Sequence, residues 1–370
     1  MKKNEEYGLM IIWENARFCE EKILEDLKKR FQIIGTFEVE WTKSIFSQNL
    51  TRFYGENLVK NSFKEKHCGN GKFLLVILKD CNPLYKYRKT SKGKKLVNVN
   101  LFDSKELYRL WTGGGHKIHA TNDMKELRHD IMLLLGMSID DYLKKYSEFE
   151  GIKCIKRDII GSNGWDSLEQ VFYVLNETTN YVILRNFNKL PKEYQIGNHG
   201  DIDILCDNLY NLITILNAEK ENSKKSRVRY IVNINSENVY FDFRYVNDNY
   251  YDKKWEDTIL STKIKKKCFY IPNSTNYKYS LLYHALVHKK NISDDYKAVF
   301  NSEFLLDSIP ELTEELERFM DENKYEFVDP IDLSVYYNEK VTNTKMRFRK
   351  KLYFTFYPIS RIINKILGGK

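Results

Sequence analysis

The stretch Gly-Asp-Ile-Asp-Ile-Leu at 200–205 alternates acidic and apolar residues, and this alternation restricts what the chain can form there. Successive side chains of a strand point to opposite faces, so Ile202 and Ile204 would share one face and Asp201 and Asp203 the other. Two carboxylates on one face repel each other, and a hard cation such as Mg²⁺ relieves that repulsion. Solvated acids on an ordinary strand are the alternative, but aspartate is depleted in strands, which favours a metal site.

Residues 238–246 (Asn-Val-Tyr-Phe-Asp-Phe-Arg-Tyr-Val) repeat the pattern with one more acid. The alternation predicts a core face of apolar and aromatic residues at every second position: Val239, Phe241, Phe243 and Tyr245. Asp242 falls on the other face, together with Tyr240 and Arg244. Three acids on the polar faces of two strands are typical of a metal site for phosphoryl or nucleotidyl transfer.

Composition limits the class of protein. The chain has 370 residues, of which 42% are hydrophobic and 14% aromatic, and this excludes a disordered chain and predicts two or three domains. The net charge of +9 favours anionic partners such as nucleotides, phosphorylated substrates or a membrane surface. Six cysteines without CxxC pairs, no signal peptide and no long apolar stretch predict a cytoplasmic location.

The expected fold class is α+β, with domain boundaries at 1–148, 149–275 and 276–370. Strands and helices alternate through residues 1–148 in an order that suits a ferredoxin-like sandwich. Within this domain, the basic segment Pro83–Val97 shows no clear periodicity and predicts an irregular structure. A helix is predicted to begin after it, near Asp103. Residues 149–275 predict an α/β domain with the acidic strands, and residues 276–370 a helical region with a basic amphipathic tail.

The segment His-Ala-Thr-Asn-Asp-Met-Lys-Glu-Leu-Arg-His-Asp-Ile at 119–131 resembles the active-site segment of nucleoside diphosphate kinases. The resemblance covers roughly residues 7–145 and implies that His119 is the phosphorylated histidine and that Asp130 orients its ring. It also implies a set of nucleotide-binding residues: Tyr54, Arg88, Arg109, His116 and Thr121. One departure matters, because Trp13 stands where the family has a lysine that steadies the transferred phosphate.

A second resemblance starts from Tyr-Val-Ile-Leu-Arg-Asn-Phe at 181–187, followed by the acidic pair and a distant third acid. This arrangement is similar to the nucleotidyltransferase superfamily, in particular to divergent members associated with surface-polysaccharide assembly. The resemblance implies Mg²⁺ ligands at Asp201, Asp203 and Asp242, with Asp242 also a candidate general base. The family's phosphate-binding Gly-Ser turn is Arg185-Asn186 here, so Arg185 would bind phosphate through its side chain.

Two further segments have open interpretations. His284 and His288 lie four residues apart on a predicted helix, a spacing that can ligate zinc, but no third ligand is near. Plain helix packing is favoured, and packing beside a nucleotide site with His288 and Lys289 near phosphate is the alternative. The tail 345–370 mixes basic and aromatic residues. It can lie on an anionic membrane, pack on the core or bind nucleic acid, the last being least favoured because no recognised module accompanies it.

The sequence as a whole favours a Mg²⁺-dependent nucleotidyl- or phosphoryl-transfer enzyme. It would use a nucleotide or nucleotide-linked donor, with a glycan or lipid-linked glycan as acceptor, peripheral to the inner face of the membrane. The alternatives are a phosphohistidine-forming enzyme that works through His119, and a non-catalytic nucleotide-binding protein.

Overall fold

The structure, a computed structural model, describes residues 5–91, 93–146, 151–194, 201–221, 228–292, 294–304, 308–343 and 350–352. It has the mixed helix and strand architecture that the sequence predicts. The chain forms two compact units, which are Met1–Gly164 with Thr214–Asn217, and Trp165–Ile213 with Ala218–Lys370. They are called the N-terminal and C-terminal units below.

The N-terminal unit is built on one sheet with helices packed against it. Its strands are β1 (Glu6–Ile12), β2 (Gln32–Glu40), β3 (Phe73–Asp80), β4 (Tyr85–Thr90), β5 (Gly93–Asn98), β6 (Ile118–Ala120) and β7 (Ile152–Lys156). Its helices are α1 (Glu20–Arg30), α2 (Phe46–Tyr54), α3 (Phe63–Cys68), α4 (Val99–Trp111), α5 (Met124–Leu135) and α6 (Ile139–Lys145), with 3₁₀ turns at Glu14–Cys19 and Lys43–Ile45.

The main sheet of this unit has the strand order β6-β1-β3-β2-β7. Only β7 runs parallel to its neighbour, β2. The central strands β1 and β3 are apolar along most of their length because both of their faces are covered. Residues from α1 and α4 pack on one face, where Met10, Leu27 and Leu101 belong to a single buried cluster.

The segment that looked irregular in sequence is a hairpin. Strands β4 and β5 pair antiparallel over Tyr85–Asn98. The prediction of an irregular 83–97 segment was wrong because this hairpin is mostly exposed, so no apolar face produces an alternating pattern. Helix α4 also begins earlier than predicted, at Val99, because the Asn98 side chain caps it by accepting from the Asn100 amide.

The C-terminal unit combines a second mixed sheet with a helical half. Its strands are β8 (Tyr181–Ile183), β9 (Ile202–Cys206), β10 (Glu219–Lys220), β11 (Arg229–Ile234), β12 (Glu237–Tyr245), β13 (Ile264–Lys266) and β14 (Phe269–Ile271). Its helices are α7 (Leu168–Thr178), α8 (Leu209–Leu216, whose last residues belong to the N-terminal unit), α9 (Lys253–Ser261), α10 (Ser274–Val287), α11 (Asp294–Phe304), α12 (Ile309–Asn323) and α13 (Glu339–Thr342).

The two acidic strands are neighbours in this sheet, whose order is β10-β11-β12-β9-β8. Strands β9 and β12 run parallel, and Asp203 is the register partner of Asp242. The predicted faces are confirmed for the core, since Ile204 and Phe243 are fully buried. The parallel pairing is what brings the acids of two distant segments side by side.

Helices dominate after residue 275, as predicted, and they pack with α9 and the strands β8 and β9 around one buried cluster. Helices α9, α10 and α12 supply Trp255, Tyr283 and Leu316 to it. Within the described ranges, no helix is long and apolar enough to cross a bilayer. The tail 345–370, proposed for membrane contact, lies outside the described residues except for 350–352.

Replacing Phe243 by alanine tests whether the β9–β12 pairing depends on the core beneath it. Phe243 is fully buried, and its ring lies 4.8 Å from that of Tyr230 and 5.7 Å from that of Phe241. We expect Phe243→Ala to lower the free energy of unfolding of this unit by about 3–5 kcal/mol, measured by urea denaturation. Glu237→Ala, at the exposed start of the same strand, should change it by less than about 0.5 kcal/mol. Equal effects of the two changes would contradict this account.

Candidate functional site

The three strand acids line one pocket in the C-terminal unit. Asp203 lies on β9 opposite Asp242 on β12, and Asp201 directly precedes β9. The pocket has a volume of about 810 Å³, and all three acids lie in its wall. The structure therefore brings together the acids that the sequence singled out.

Each of these acids has a buried arginine near it. Arg185 Nη2 lies 2.6 Å from Asp203 Oδ1, and Arg229 Nη2 lies 2.7 Å from Asp201 Oδ1. Arg244 Nη2 is 3.9 Å from Asp242 Oδ2. The guanidinium groups neutralise charge that would otherwise be costly to bury.

Burial sets the protonation of the central acid. It raises the pKa of Asp203 to about 6, while Arg185 opposes the rise and the neighbouring charge of Asp242 adds to it. A cation or an additional positive group near Asp203 would reverse this shift, because it favours the ionised carboxylate. The protonation of Asp203 therefore depends on the charge of the ligand that enters the pocket.

The donor set suits a hard divalent cation. Asp242 Oδ1 is buried and accepts no hydrogen bond from any described residue. Carboxylate oxygens are the ligands that Mg²⁺ takes in phosphate-transfer sites. Because Arg185 and Arg229 already bind Asp203 and Asp201, a metal would gain full access to these acids only when the arginines turn to another anion, such as phosphate.

A chain of hydrogen bonds extends from Asp203 to helix α10. Arg185 Nη1 donates to Tyr250 Oη at 3.0 Å, and this hydroxyl lies 2.7 Å from His284 Nδ1. Burial and the charge of Arg185 hold the pKa of His284 well below its usual range, so the ring is neutral. Its Nδ1 accepts a hydrogen bond from the Tyr250 hydroxyl. The chain fixes the guanidinium at the pocket wall from two sides.

Two buried carboxyl groups hold the loop that carries Tyr250. Asp248 Oδ1 accepts from the Tyr250 amide at 2.8 Å, and Glu256 accepts from the amides of Asn247 and Tyr251 at 2.7 and 3.1 Å. The two acids also hydrogen-bond each other. Burial and the charge of Asp248 raise the pKa of Glu256 to about 9, so the pair shares one proton at neutral pH.

This shared proton predicts a pH-dependent stability. Glu256 loses its proton near pH 4.5 in the unfolded chain but keeps it to about pH 9 in the folded chain. The free energy of unfolding should therefore fall as pH rises between these values, by up to about 1.4 kcal/mol per pH unit. Asp248→Asn should flatten the fall, because its amide can donate to an ionised Glu256. The measurement is the free energy of unfolding from pH 5 to 9. Asp257→Asn, an exposed acid on α9, should leave the slope unchanged; an unchanged slope in Asp248→Asn would refute the shared proton.

The N-terminal unit holds the predicted histidine in a second cluster. His119 lies on β6, and its Nε2 is 2.7 Å from Asp130 Oδ2 on α5, the pairing that the resemblance implies. Burial pushes the pKa of Asp130 upward, but the charge of His119 and hydrogen bonds from His119 and His129 outweigh it and lower that pKa. Asp130 is therefore an ionised acceptor that fixes the orientation of the ring.

The same cluster includes one more carboxylate. Within the described ranges, His119, Glu126 and Asp130 are the group of three whose ligand atoms all lie within 4.8 Å of one another. One nitrogen and two carboxylate oxygens are a donor set that zinc or manganese accepts. The cluster is also satisfied without a metal, because Nε2 shares its hydrogen bond with Asp130 and Glu126 accepts from Asn122.

Four of the predicted nucleotide-binding residues lie on segments near His119. The ring of Tyr54 is 5.7 Å from that of His119, and Thr121 Oγ1 accepts from the Leu9 amide next to it in the sheet. Arg109 donates to the Ile118 carbonyl, one residue before His119. His116 donates its amide to His67 Nδ1.

Two residues distinguish this cluster from the kinase pattern. Arg88 lies on the β4–β5 hairpin and binds Asp103 through Nε and Nη2 at 3.0 and 2.9 Å. Trp13, in place of the family's lysine, is fully buried among aromatic rings, with Phe73 at 4.6 Å. A cation that could grip a phosphate beside His119 is thus replaced by an apolar side chain.

Sequence reasoning missed two residues of the site: Arg229, which lies beside Asp201 but does not line the pocket, and Tyr250, which lines it. Arg229 starts β11 as the register partner of Asp242, but a single arginine in a basic chain gives no signal. Tyr250 lies in a loop with several asparagines, where its role depends on a contact across the fold. Plain packing of α10 was the favoured interpretation of its histidines, and the structure adds that His288 and Lys289 line the pocket.

No protein-family model matches the chain, and no curated protein matches it either. What the chain does is therefore inferred from the chemistry of its two sites.

Proposed function

We propose that the C-terminal unit catalyses Mg²⁺-dependent nucleotidyl or phosphoryl transfer in the pocket lined by Asp201, Asp203 and Asp242. The observation that carries the proposal is the parallel pairing of β9 and β12, with Asp203 opposite Asp242 in the wall of a basic pocket. Acids alone would repel a phosphate donor. Acids together with Arg185 and Lys289 suit a complex of a divalent cation with a nucleotide.

The sheet supports this proposal. Three strands follow the order that the nucleotidyltransferase resemblance implies. They are β8, then the antiparallel β9, which carries Asp203 and directly follows Asp201, and later β12, which runs parallel to β9 and carries Asp242. The first strand leads to Arg185, which binds Asp203. An arginine at this turn offers two donors to phosphate oxygens in place of backbone amides.

Each group has a role in the proposed transfer. The three carboxylates would hold Mg²⁺, which supplies charge neutralisation and polarises the phosphate. Arg185 and Lys289 would bind the phosphate oxygens. As the acceptor oxygen bonds to phosphorus and the bond to the leaving phosphate breaks, the Asp242 carboxylate would take the proton of the acceptor hydroxyl.

The N-terminal unit fits a nucleotide-binding partner domain. Without β7, its sheet order β6-β1-β3-β2 is that of a ferredoxin-like sandwich, which supports the nucleoside-diphosphate-kinase-like interpretation. A glycan or lipid-linked glycan as acceptor, with the tail 345–370 on the membrane, remains part of the proposal through the second resemblance alone.

Replacing the central acid tests the transfer. Asp203→Asn keeps a similar shape but removes a ligand charge, so we expect Mg²⁺-dependent release of pyrophosphate or nucleoside monophosphate to fall at least about 100-fold. Release is measured over a panel of nucleotides and nucleotide-linked sugars, with EDTA as the metal-free reference. Asp257→Asn should retain wild-type activity. Activity that survives in Asp203→Asn, or that ignores EDTA, would rule out the proposed site.

A second candidate activity is phosphorylation of His119, and a specific geometry favours it. Asp130 holds Nε2, while no described residue hydrogen-bonds Nδ1. A histidine with one nitrogen anchored and the other available can accept a phosphoryl group. Trp13 argues for slow turnover, because it removes the charge that would steady the phosphate.

Labelling with [γ-³²P]ATP tests this second activity. We expect an alkali-stable, acid-labile phosphoprotein in wild type that is absent in His119→Ala, because phosphoramidate bonds hydrolyse in acid. His288→Phe, in the other unit, should label normally. Label that persists in His119→Ala, or that survives acid, would exclude the phosphohistidine.

A further inference from the structure

His288 is a buried imidazole without a hydrogen-bond partner. It caps the C-terminus of α10, is only 4% exposed and lines the same pocket as the acids. Neither Nδ1 nor Nε2 makes a hydrogen bond with any part of the chain that the structure describes. Burying two unsatisfied polar atoms is destabilising, so such a group in a pocket wall needs an explanation in function.

The neighbours of His288 restrict what it can bind. The rings of Tyr250 and Tyr283 lie 4.3 and 5.1 Å from its ring, and they present faces or edges to it. Burial, followed by the charges of Arg244 and Arg185, holds the pKa of His288 well below its usual range. The ring is therefore neutral, with one N–H donor and one lone-pair acceptor, and a hydroxyl group can pair with either nitrogen because it both donates and accepts.

The next residue supplies a positive charge at the same place. Lys289 lines the pocket and forms no ion pair with a described residue. Of the charges that act on it, Arg185 repels it, and Asp203 and Asp242 attract it. A phosphate group would be attracted to Lys289 and Arg185 together.

A zinc site at the two histidines of α10 is not favoured. His284 Nδ1 is engaged by Tyr250 Oη, and the described residues offer no group of three ligands that includes His284 or His288. Structural zinc needs four ligands and catalytic zinc three. The polar atoms of His288 are better matched by an organic ligand.

We propose that His288 and Lys289 form a subsite for a phosphate ester that carries a hydroxyl on a neighbouring carbon, such as a polyol phosphate or sugar phosphate. His288 binds the hydroxyl, and Lys289 binds the phosphate. That this ester takes part in the transfer rests on the proposed function. The subsite itself does not, because binding there needs no metal.

Isothermal titration of the full chain in EDTA with three probes tests the subsite. The probes are sn-glycerol 3-phosphate, inorganic phosphate and glycerol. We expect the ester to bind wild type roughly tenfold more tightly than inorganic phosphate does, and glycerol not to bind. His288→Phe should reduce ester affinity to the level of inorganic phosphate, and Lys289→Met should weaken the ester and inorganic phosphate alike.

Thermal stability distinguishes a binding role from a structural one. Phenylalanine keeps the ring of His288 and removes its unpartnered nitrogens, so His288→Phe should raise the Tm without ligand by about 2–4 °C. Tyr283→Phe is the matched control, because Tyr283 accepts a hydrogen bond from the Val328 amide and does not line the pocket. It should lower the Tm and bind the ester as wild type does.

Several results would overturn the subsite. They are equal affinity for ester and inorganic phosphate in wild type, unchanged ester binding in His288→Phe, or a lowered Tm in that variant. If the ester binds as expected but no Mg²⁺-dependent transfer is found, the subsite stands and the proposed function fails. If transfer occurs without ester binding, the proposed function stands and the subsite is wrong.

Discussion

The organisation of the C-terminal unit depends on a compensated burial of like charges. Parallel pairing of β9 with β12 puts Asp203 beside Asp242, and a fold can keep these carboxylates together only if positive groups stand next to them. Arg185 and Arg244 supply that charge from within the unit. Arg185 and Arg244 lie beside the acids, the loop that carries Tyr250 packs against these arginines, and the end of α10 packs against Tyr250. Together they line the pocket.

The sequence predicted the parts of this arrangement that follow from local patterns. Alternation identified the faces of β9 and β12, and Ile204 and Phe243 are buried as expected. The ends of α5 also follow from local residues, since Asp123 accepts from the Glu126 amide and Gly136 adopts a left-handed backbone with φ of 65°. The contacts of Tyr250 and Arg229 could not be predicted, because they join segments whose proximity depends on strand register. The β4–β5 hairpin was missed because its exposed faces leave no periodic signal.

In the N-terminal unit, the histidine–aspartate pair and the charge around it are set by different parts of the chain. Within the segment 119–131, His119 on a strand and Asp130 on the next helix form a hydrogen bond. Because the two residues are close in sequence, the local residue pattern is enough to predict this contact. The charge around that pair is set by distant residues, and here Trp13 stands among aromatic rings. A motif match therefore predicted the geometry of the dyad more directly than its reactivity.

Arg185 has a consequence for how the pocket responds to a ligand. Its guanidinium spans two partners, with Nη2 on Asp203 and Nη1 on Tyr250, so both are held or released together. A lysine could not replace it, since one ammonium lacks the fixed spacing of a planar fork. An anion that draws the guanidinium away would free a carboxylate and a tyrosine hydroxyl in the same movement. Binding of an anion and binding of a cation in this pocket would then favour each other, each increasing the affinity for the other by the same factor.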